Sequence, residues 1–357
     1  MSTKNQSPES ICILRLSALG DVCNAIAAVQ AIQKSFPKAR ITWIIGKLEH
    51  SFVQGLPDLE FIVFDKSRGT EAKSDLKTAM QGRSFDVLLH MQVAMRANLL
   101  TRLIPAKRKI GYDWKRAKEG HSLFVNEHID ALPPKSTDLH VLDSFMSFAF
   151  KLGAQEDFCY PPQWNIPVAN ADREFALTHI PEGQQTMILC PAASKKERCW
   201  SAERYVETLH FVQRKGINVI LCGGPAPLDL ELAGEICEKA RIPITNLVGK
   251  TTLKQLYALL GRALFVLAPD TGPLHMANAA GTPVVGLYAH SNPQRTGPYN
   301  YQGYVVDHYK AHLQQQYGKL PDQVKWGKRV HGSDLMDSIS CQEVFKKIDL
   351  LLLELKA

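Results

Sequence analysis

The sequence predicts an α/β protein of two doubly wound domains, each with a parallel sheet covered by helices on both faces. Short apolar runs alternate with helical stretches through both halves of the chain, and this alternation favours parallel strands joined by helices. The 357 residues are enough for two sizeable cores. A proline-rich stretch at 160–170 is typical of a linker, so we predict domains over 1–165 and 171–340.

Four runs in the first half have the length and apolar content of buried strands. They are Ile11–Leu16, Ile41–Ile45, Phe61–Phe64 and Val87–His90. A turn over 17–21 leads from the first run into a helix predicted over 22–35, and a further helix is predicted over 71–81.

The second half repeats this pattern. Its predicted strands are Thr186–Cys190, Asn218–Leu221, Phe265–Ala268 and Pro283–Tyr288, and its predicted helices cover 201–215, 228–240 and 252–261. A last helix is predicted over 341–357 and is expected to pack back on the first domain. The stretch 291–337 is poorly patterned, and the sequence does not decide whether it shapes a donor pocket or an acceptor entry.

The segment 265–290 has the layout of strand, turn, helix, turn and strand. Asp270 is expected to cap the helix, and the N–H groups that follow Thr271 and Gly272, at the positive end of the helix dipole, suit a diphosphate. His275, one turn into the helix, either contacts a substrate or packs internally. An ordinary capped helix with no ligand explains Asp270 equally well, so both interpretations stay open.

A second candidate position follows the first strand, where Gly20 and Asp21 begin a helix. Ligands of open parallel sheets bind beyond the carboxyl ends of the strands. Asp21 is therefore a candidate general base that takes a proton from an attacking hydroxyl. The alternative is a first-turn acid that only interacts with the helix dipole.

Two turns of the second half complete the candidate site. Ser194, Lys195 and Arg198 follow a strand, and their cations suit a phosphate, although a solvated basic loop has the same composition. Gly223 and Gly224 allow close approach of a base or ribose, although a tight turn also requires glycine.

Composition restricts the class of protein. A hydrophobic content of 45% with 22% charged residues is ordinary for a soluble globular protein. Eight cysteines without a C-x-x-C pair favour reduced thiols, and the absence of a signal peptide or a long apolar span predicts a cytoplasmic protein. A net charge of +7 permits an anionic partner. Part of it lies in a basic run over 107–118, which is either a solvated loop or faces a phosphorylated substrate or an anionic membrane surface.

Several sequence motifs are missing. The chain has no G-x-G-x-x-G fingerprint, no D-x-D motif and no G-x-x-x-x-G-K-[ST] phosphate loop. Metal-dependent transfer and kinase chemistry are therefore disfavoured, and we predict no metal site. No nucleic-acid-binding motif accompanies the basic run, so no nucleic-acid partner is predicted.

Four segments together resemble glycosyltransferase family 9, the ADP-heptose:lipopolysaccharide heptosyltransferases. Arg15–Asp21 is similar to the opening motif of that family, and Lys109–Lys118 resembles its basic loop near the acceptor. Asp270–His275 resembles its nucleotide-sugar signature, and Ile339–Val344 resembles the entry to its last helix. The likeness spans nearly the whole chain, with the motifs in the same order.

The resemblance implies a GT-B fold, in which two Rossmann-like domains face a central cleft. It also implies an inverting, metal-independent transfer of heptose from ADP-heptose to an inner-core lipopolysaccharide acceptor. An ADP-sugar is then a co-substrate, and no other cofactor is expected. The partners implied are this nucleotide sugar and a lipid-linked saccharide, with peripheral contact at the cytoplasmic face of the inner membrane.

The resemblance also assigns roles to residues. Asp21 is implied as the general base. The residues expected to bind the donor are Ser194, Lys195, Arg198, Gly223, Gly224, Asp270, Thr271, Gly272 and His275, and those expected to bind the acceptor are Ser17, Gly20, Lys109, Lys115 and Arg116. Arg198 stands where the family usually has a lysine, a departure that keeps the charge.

Two alternatives remain from the sequence. A non-hydrolysing nucleotide-sugar 2-epimerase shares the fold and needs no acceptor. A nucleotide-sugar-binding paralogue without transfer activity is the other, and the retained Asp21 argues against it.

Overall fold

The structure is a computed structural model that describes residues 7–131 and 139–356, which divide into two compact units. The first unit holds 7–131 and 141–167, and the second holds 139–140 and 168–356. The boundary at 167 falls inside the proline-rich stretch expected to be a linker. Residues 1–6, 132–138 and 357, which the predicted domains and last helix include, lie outside the described residues.

The described residues of the first unit form a six-stranded parallel sheet in the order β3-β2-β1-β4-β5-β6. Its strands are β1 (Ser10–Leu14), β2 (Arg40–Gly46), β3 (Leu59–Phe64), β4 (Phe85–His90), β5 (Ala106–Gly111) and β6 (Glu127–His128). Its helices are α1 (Leu19–Ser35), α2 (Lys47–Val53), α3 (Thr70–Ala79), α4 (Met95–Leu100), α5 (Val141–Leu152) and α6 (Glu156–Cys159). The central strands β1 and β4 are almost wholly buried because helices cover both faces of the sheet.

The second unit repeats the architecture, with the strand order β12-β11-β10-β7-β8-β9 over its described residues. Its strands are β7 (Thr186–Leu189), β8 (Asn218–Leu221), β9 (Thr245–Asn246), β10 (Phe265–Pro269), β11 (Val284–Tyr288) and β12 (Val306–Asp307). Its helices are α7 (Asn170–His179), α8 (Ala202–Gln213), α9 (Pro227–Ala240), α10 (Leu253–Leu260), α11 (Gly272–Ala279), α12 (Pro293–Thr296), α13 (Tyr309–Tyr317) and α14 (Cys341–Glu354). The predicted fold of two doubly wound parallel-sheet domains is confirmed.

Part of the basic run over 107–118 is a strand rather than a loop. Lys107 and Arg108 belong to β5, where they pair with Asp86 and Glu127 at 2.8 and 2.7 Å. Lys107, Arg108 and Lys109 are consecutive and place a cation on both faces of the strand, so β5 lacks the apolar pattern of a buried strand. The poorly patterned stretch over 291–337 contains α12, β12 and α13.

The last helix belongs to the second unit, which corrects the expectation that it packs on the first. Its buried face, which includes Val344, Ile348 and Leu351, is part of the core of the second unit. Phe345 stacks on Phe211 of α8 with ring centroids 4.1 Å apart. Within the described ranges, no helix combines the length and the apolar character that crossing a membrane requires.

Substitution of a buried side chain in the last helix tests this placement. Leu351→Ala removes a fully buried side chain and is expected to lower the free energy of unfolding by about 2–5 kcal/mol. Leu353→Ala, on the same helix but 68% exposed, is the matched control and should change it by less than about 0.5 kcal/mol. Urea denaturation followed by circular dichroism measures both, and equal effects would contradict the packing described.

Candidate active site

The turn after β1 places a carboxylate at the carboxyl edge of the first sheet. Asp21 lies in the first turn of α1, and its Oδ2 accepts a hydrogen bond from Nη2 of Arg15. Arg15 is itself held, because its Nη1 donates to the carbonyl oxygen of Met91 at 2.6 Å and its guanidinium lies 5.2 Å from the ring centre of Phe145. The side chain of Arg15 is only 8% exposed, whereas that of Asp21 is 39% exposed. Arg15 therefore orients a carboxylate that solvent or a substrate can reach.

Backbone contacts fix the turn that carries Asp21. The N–H of Leu16 donates to Oε1 of Gln92 at 2.7 Å, and the N–H of Gly46 donates to the carbonyl oxygen of Leu16 at 3.0 Å. A Cβ at Gly46 would lie 2.5 Å from that same carbonyl oxygen, so only glycine permits this approach. Within α1, the carbonyl oxygen of Gly20 accepts from Nδ2 of Asn24 at 2.9 Å, a contact that supports the first turn of the helix.

A cavity of about 800 Å³ lies in the first unit, at the carboxyl ends of β1 to β4. Ser17, one of the predicted acceptor contacts, lines it. It is also lined by three exposed cations that are not among the predicted acceptor contacts, Lys47, Lys66 and Arg96, and by three acids, Glu49, Asp65 and Glu119. Lys47 and Lys66 come directly after or soon after a strand end, so the rule that ligands bind beyond strand ends would have found them.

Arg116 is a structural residue, which corrects its prediction as an acceptor contact. Its side chain has no exposed surface and forms an ion pair with Asp113, with Nε and Oδ1 2.5 Å apart. Its other nitrogens donate to Oγ of Ser144 at 3.1 Å and to the carbonyl oxygen of Asp130 at 2.7 Å. Burial and these partners leave the guanidinium no face to offer a substrate.

The other two predicted cations of the basic run differ in their accessibility. Lys109 lies in β5, and its Nζ donates to the carbonyl oxygen of Thr101 at 2.7 Å. Burial lowers the pKa of Lys109. Lys115 is exposed in the loop after β5. Neither lysine lines the large cavity.

In the second unit, Asp270 connects three neighbouring strand ends. It follows β10, and its Oδ2 lies 3.2 Å from Nη2 of Arg198 and accepts a hydrogen bond from Oγ of Ser291 at 2.7 Å. Arg198 Nη2 also donates to the carbonyl oxygen of Asp270 at 2.8 Å, and its Nη1 donates to Oγ of Ser194 at 3.3 Å. Nε2 of His275 lies 3.8 Å from Oδ1 of Asp270. The sequence-predicted residues Ser194, Arg198, Asp270 and His275 therefore meet in one network.

Electrostatics keeps Asp270 ionised. Burial by itself raises the pKa of its carboxyl group, but the polar contact with His275 and the charge of Arg198 lower it by more. The net pKa lies below the ordinary value of 3.8. Asp270 is thus an anion paired with a cation, and both side chains are mostly shielded from solvent.

Asp270 does not cap α11, which corrects the sequence expectation. Thr271 is the N-cap residue, and no side chain makes a capping hydrogen bond there. Oγ1 of Thr271 is buried and has no hydrogen-bond partner among the described residues. The N-terminus of α11, which begins at Gly272, thus keeps N–H groups available for an anion.

The remaining predicted donor residues lie at the same edge of the second sheet. The side chain of Lys195 is 67% exposed, so its ammonium group is accessible. Its Nζ lies 3.9 Å from Oε1 of Glu197. Gly223 and Gly224 follow β8, and the N–H of Gly224 donates to Oδ1 of Asp229 at 2.9 Å. Asp229 therefore holds its own turn in this structure.

Comparison with known proteins shows the family. A sequence profile described as glycosyltransferase family 9 (heptosyltransferase) matches residues 74–324. The chain belongs to glycosyltransferase family 9. It is 40% identical to the lipopolysaccharide core heptosyltransferase OpsX of Haemophilus influenzae over 97% of this chain and 98% of that protein. The family identifies the chain as a glycosyltransferase enzyme.

Solved structures agree on the fold. The glycosyltransferase family 9 protein of Veillonella parvula superposes with a TM-score of 0.79 at 22% identity, covering 97% of this chain and 98% of that one. Escherichia coli ADP-heptose lipopolysaccharide heptosyltransferase II gives a TM-score of 0.72 at 19% identity, covering 98% and 100%. The predicted GT-B class, with two Rossmann-like domains, is confirmed.

Removal of Arg116 tests its structural role. Arg116→Ala leaves the carboxylate of Asp113 buried without its cation and is expected to lower the free energy of unfolding by about 3–5 kcal/mol. Lys115→Ala, its exposed neighbour, should stay within about 0.5 kcal/mol of the wild type. Urea denaturation measures both. A stable Arg116→Ala protein with a specific loss of acceptor affinity would restore the binding role.

Acid titration tests the state of Asp270. Because the pKa of Asp270 is lower in the folded chain than its ordinary 3.8, the ionised group stabilises the fold above that pH, and the stabilisation is lost as the pH falls through and below it. Asp270→Asn should therefore have a lower free energy of unfolding than the wild type at neutral pH. The difference between the two proteins should become smaller as the pH falls.

Unfolding free energies measured by urea titration at a series of pH values give that gap. Thr271→Val, next to it, removes no titrating group and serves as the control with a gap that does not depend on pH. An Asp270→Asn gap that stays constant or widens in acid would contradict the ionised, paired state.

Proposed function

We propose that this glycosyltransferase transfers a heptose from ADP-heptose to a lipopolysaccharide inner-core acceptor, with inversion at the anomeric carbon and without a metal ion. The observation that carries the proposal is the 40% identity to a lipopolysaccharide core heptosyltransferase over nearly the full length of both chains. The arrangement of carboxylates, cations and helix termini in the two units supplies the groups that such a transfer needs.

Asp21 is the general base in this proposal. Its carboxylate is oriented by Arg15 and is accessible at the carboxyl edge of the first sheet. It removes the proton of the acceptor hydroxyl while the oxygen of that hydroxyl forms a bond to the anomeric carbon of the donor. The bond from that carbon to the diphosphate breaks on the opposite face, so the configuration inverts and ADP departs with the electron pair.

The donor binds at the second unit. The open N–H groups of α11 bind the diphosphate, and the positive end of the helix dipole stabilises the charge that grows on the leaving ADP. Lys195 adds a mobile cation. Arg198 acts mainly by holding Asp270 and hence the turn before α11. Gly223 and Gly224 border the nucleoside.

The acceptor binds in the large cavity of the first unit. Lys47, Lys66 and Arg96 line it together with Ser17. Lys47 pairs with Asp65 at 3.0 Å, so the exposed Lys66 and Arg96 are the cations that best suit a saccharide that carries carboxylate or phosphate groups. These residues replace Arg116 as the candidate acceptor contacts. Because such an acceptor is linked to a lipid, the proposal includes peripheral contact with the cytoplasmic face of the inner membrane.

A transfer assay tests the function. We expect the purified protein to convert ADP-heptose and lipopolysaccharide from a strain lacking core heptose into a heptosylated product, detected by mass spectrometry. Incubation with the donor alone should leave the sugar unchanged. An epimerised nucleotide sugar in that sample would favour the epimerase instead, and no reaction in either sample would favour an inactive binding protein.

Substitution of the base gives a sharper test. Asp21→Asn should lower kcat by about 100- to 10,000-fold because general-base catalysis is lost, while the Kd for ADP stays nearly unchanged. Asp75→Asn, another exposed acid of the first unit that pairs with an arginine, is the matched control and should keep full activity. A large loss of ADP binding in Asp21→Asn would remove Asp21 from the base role.

The role of metal is tested by chelation. We expect the initial rate to be the same with EDTA and with added magnesium, because Lys195 and the N-terminus of α11 provide the positive charge. Calorimetric titration should also show tighter binding of ADP than of UDP or GDP without magnesium. A rate that collapses in EDTA and returns with a divalent cation would contradict this part of the proposal.

A further inference from the structure

The first unit exposes two large apolar side chains beside one small cavity. Trp114 is 75% exposed and Leu123 is 85% exposed. Both line a cavity of about 280 Å³ formed by the loop after β5 and the short 3₁₀ helix His121–Phe124. Leaving two such side chains in water at adjoining positions costs free energy unless something covers them.

Cations accompany these apolar side chains. Lys115 is exposed next to Trp114, and Lys118 lines the same small cavity. Of the acids nearby, Asp113 is buried in its ion pair with Arg116, and the exposed Glu119 has its carboxylate engaged by a backbone N–H, so two exposed lysines stand against one exposed acid. Together Trp114, Lys115, Lys118 and Leu123 form what we call the Trp114 surface, in which apolar groups and positive charge coincide.

The Trp114 surface adjoins the large cavity. Glu119 lines both cavities, and its carboxylate accepts a hydrogen bond from the N–H of Met95 at the start of α4. Met95 also lines the large cavity and is 45% exposed, and Leu99, one turn further along α4, is 40% exposed. Exposed apolar side chains thus continue from the Trp114 surface to the mouth of the proposed acceptor site.

We propose that the Trp114 surface docks on an anionic phospholipid bilayer. Tryptophan and leucine enter the boundary between headgroups and acyl chains, while the two lysines pair with negatively charged headgroups. The inference rests on the proposed function, because a lipid-linked acceptor enters the large cavity from a membrane. In this position the saccharide lies in the cavity and its lipid stays in the bilayer beneath the Trp114 surface.

Vesicle binding tests the surface without requiring activity. The wild-type protein should sediment with vesicles of phosphatidylethanolamine and phosphatidylglycerol more than with vesicles of phosphatidylcholine, and added salt should weaken the binding. Trp114→Ser combined with Leu123→Ser should reduce the partition coefficient roughly tenfold or more. Lys115→Glu alone should reduce it about fivefold or more, because it removes one favourable charge and adds an unfavourable one.

Controls separate docking from damage. Leu353→Ser, an exposed apolar position of the second unit, should bind vesicles like the wild type. The double variant should heptosylate a deacylated, water-soluble acceptor at the wild-type rate but lose rate on the acceptor embedded in vesicles. Circular dichroism and the Tm confirm that each variant is folded.

Three outcomes overturn the inference. The first is a wild-type protein that ignores anionic vesicles, and the second is a folded double variant that binds them as well as the wild type. The third is a wild-type dimer that the double substitution dissociates in sedimentation velocity without changing vesicle binding, since a second copy then covers the surface. Normal vesicle binding by a protein that transfers no heptose would instead leave the surface assigned and remove only the proposed function.

Discussion

The ion pair between Asp270 and Arg198 is the interaction on which the second unit's candidate site depends. It joins the residues that follow β7 to those that follow β10, and Ser291 adds the residues that follow β11. A buried carboxylate is costly without a partner, so removal of either charge disturbs all three strand ends at once. The same pairing holds the carboxylate of Asp270 away from the N-terminus of α11. A carboxylate that capped the helix would occupy the N–H groups that an anionic ligand needs.

The first unit has a similar ion pair, but its carboxylate is accessible to solvent. Arg15 is buried and its partner Asp21 is accessible, whereas Asp270 is enclosed together with its partner. An enclosed pair stabilises a turn, because neither charge can reorganise without losing the other. A carboxylate that a buried arginine binds on one side, and that is accessible on the other, keeps lone pairs for an incoming hydroxyl. The difference in exposure is the physical reason for assigning catalysis to Asp21 and support to Asp270.

The fold was predictable because buried parallel strands are apolar and glycine or capping residues mark the turns. Strands β6, β9 and β12 have two residues each, too few to carry a periodic signal. Strand β5 carries three basic residues within six, so its composition resembles a loop. The last helix was correctly placed in the sequence, but an amphipathic face does not reveal which core it joins, and the answer came from its stacking on Phe211.

Charge in the sequence did not distinguish a binding cation from a structural one. Arg116 and Lys115 are neighbours in one basic run, yet one is enclosed against Asp113 and the other is exposed. Similarly, Asp270 had an adequate local explanation as a helix cap, and its actual partners lie 72 and 21 residues away. Long-range partners of this kind leave no local pattern.

The accessible cations are mostly lysines, and this bears on how an anionic substrate is recognised. Arg15 and Arg198 each have several fixed hydrogen bonds, because a planar fork suits a permanent pair with a carboxylate. Lys66, Arg96 and Lys195 are exposed on flexible stems and can follow a phosphate or carboxylate whose position changes during the reaction. A site built in this way fixes the groups that must be rigid, the base and the helix terminus, with arginine, and leaves substrate charge to side chains that can move.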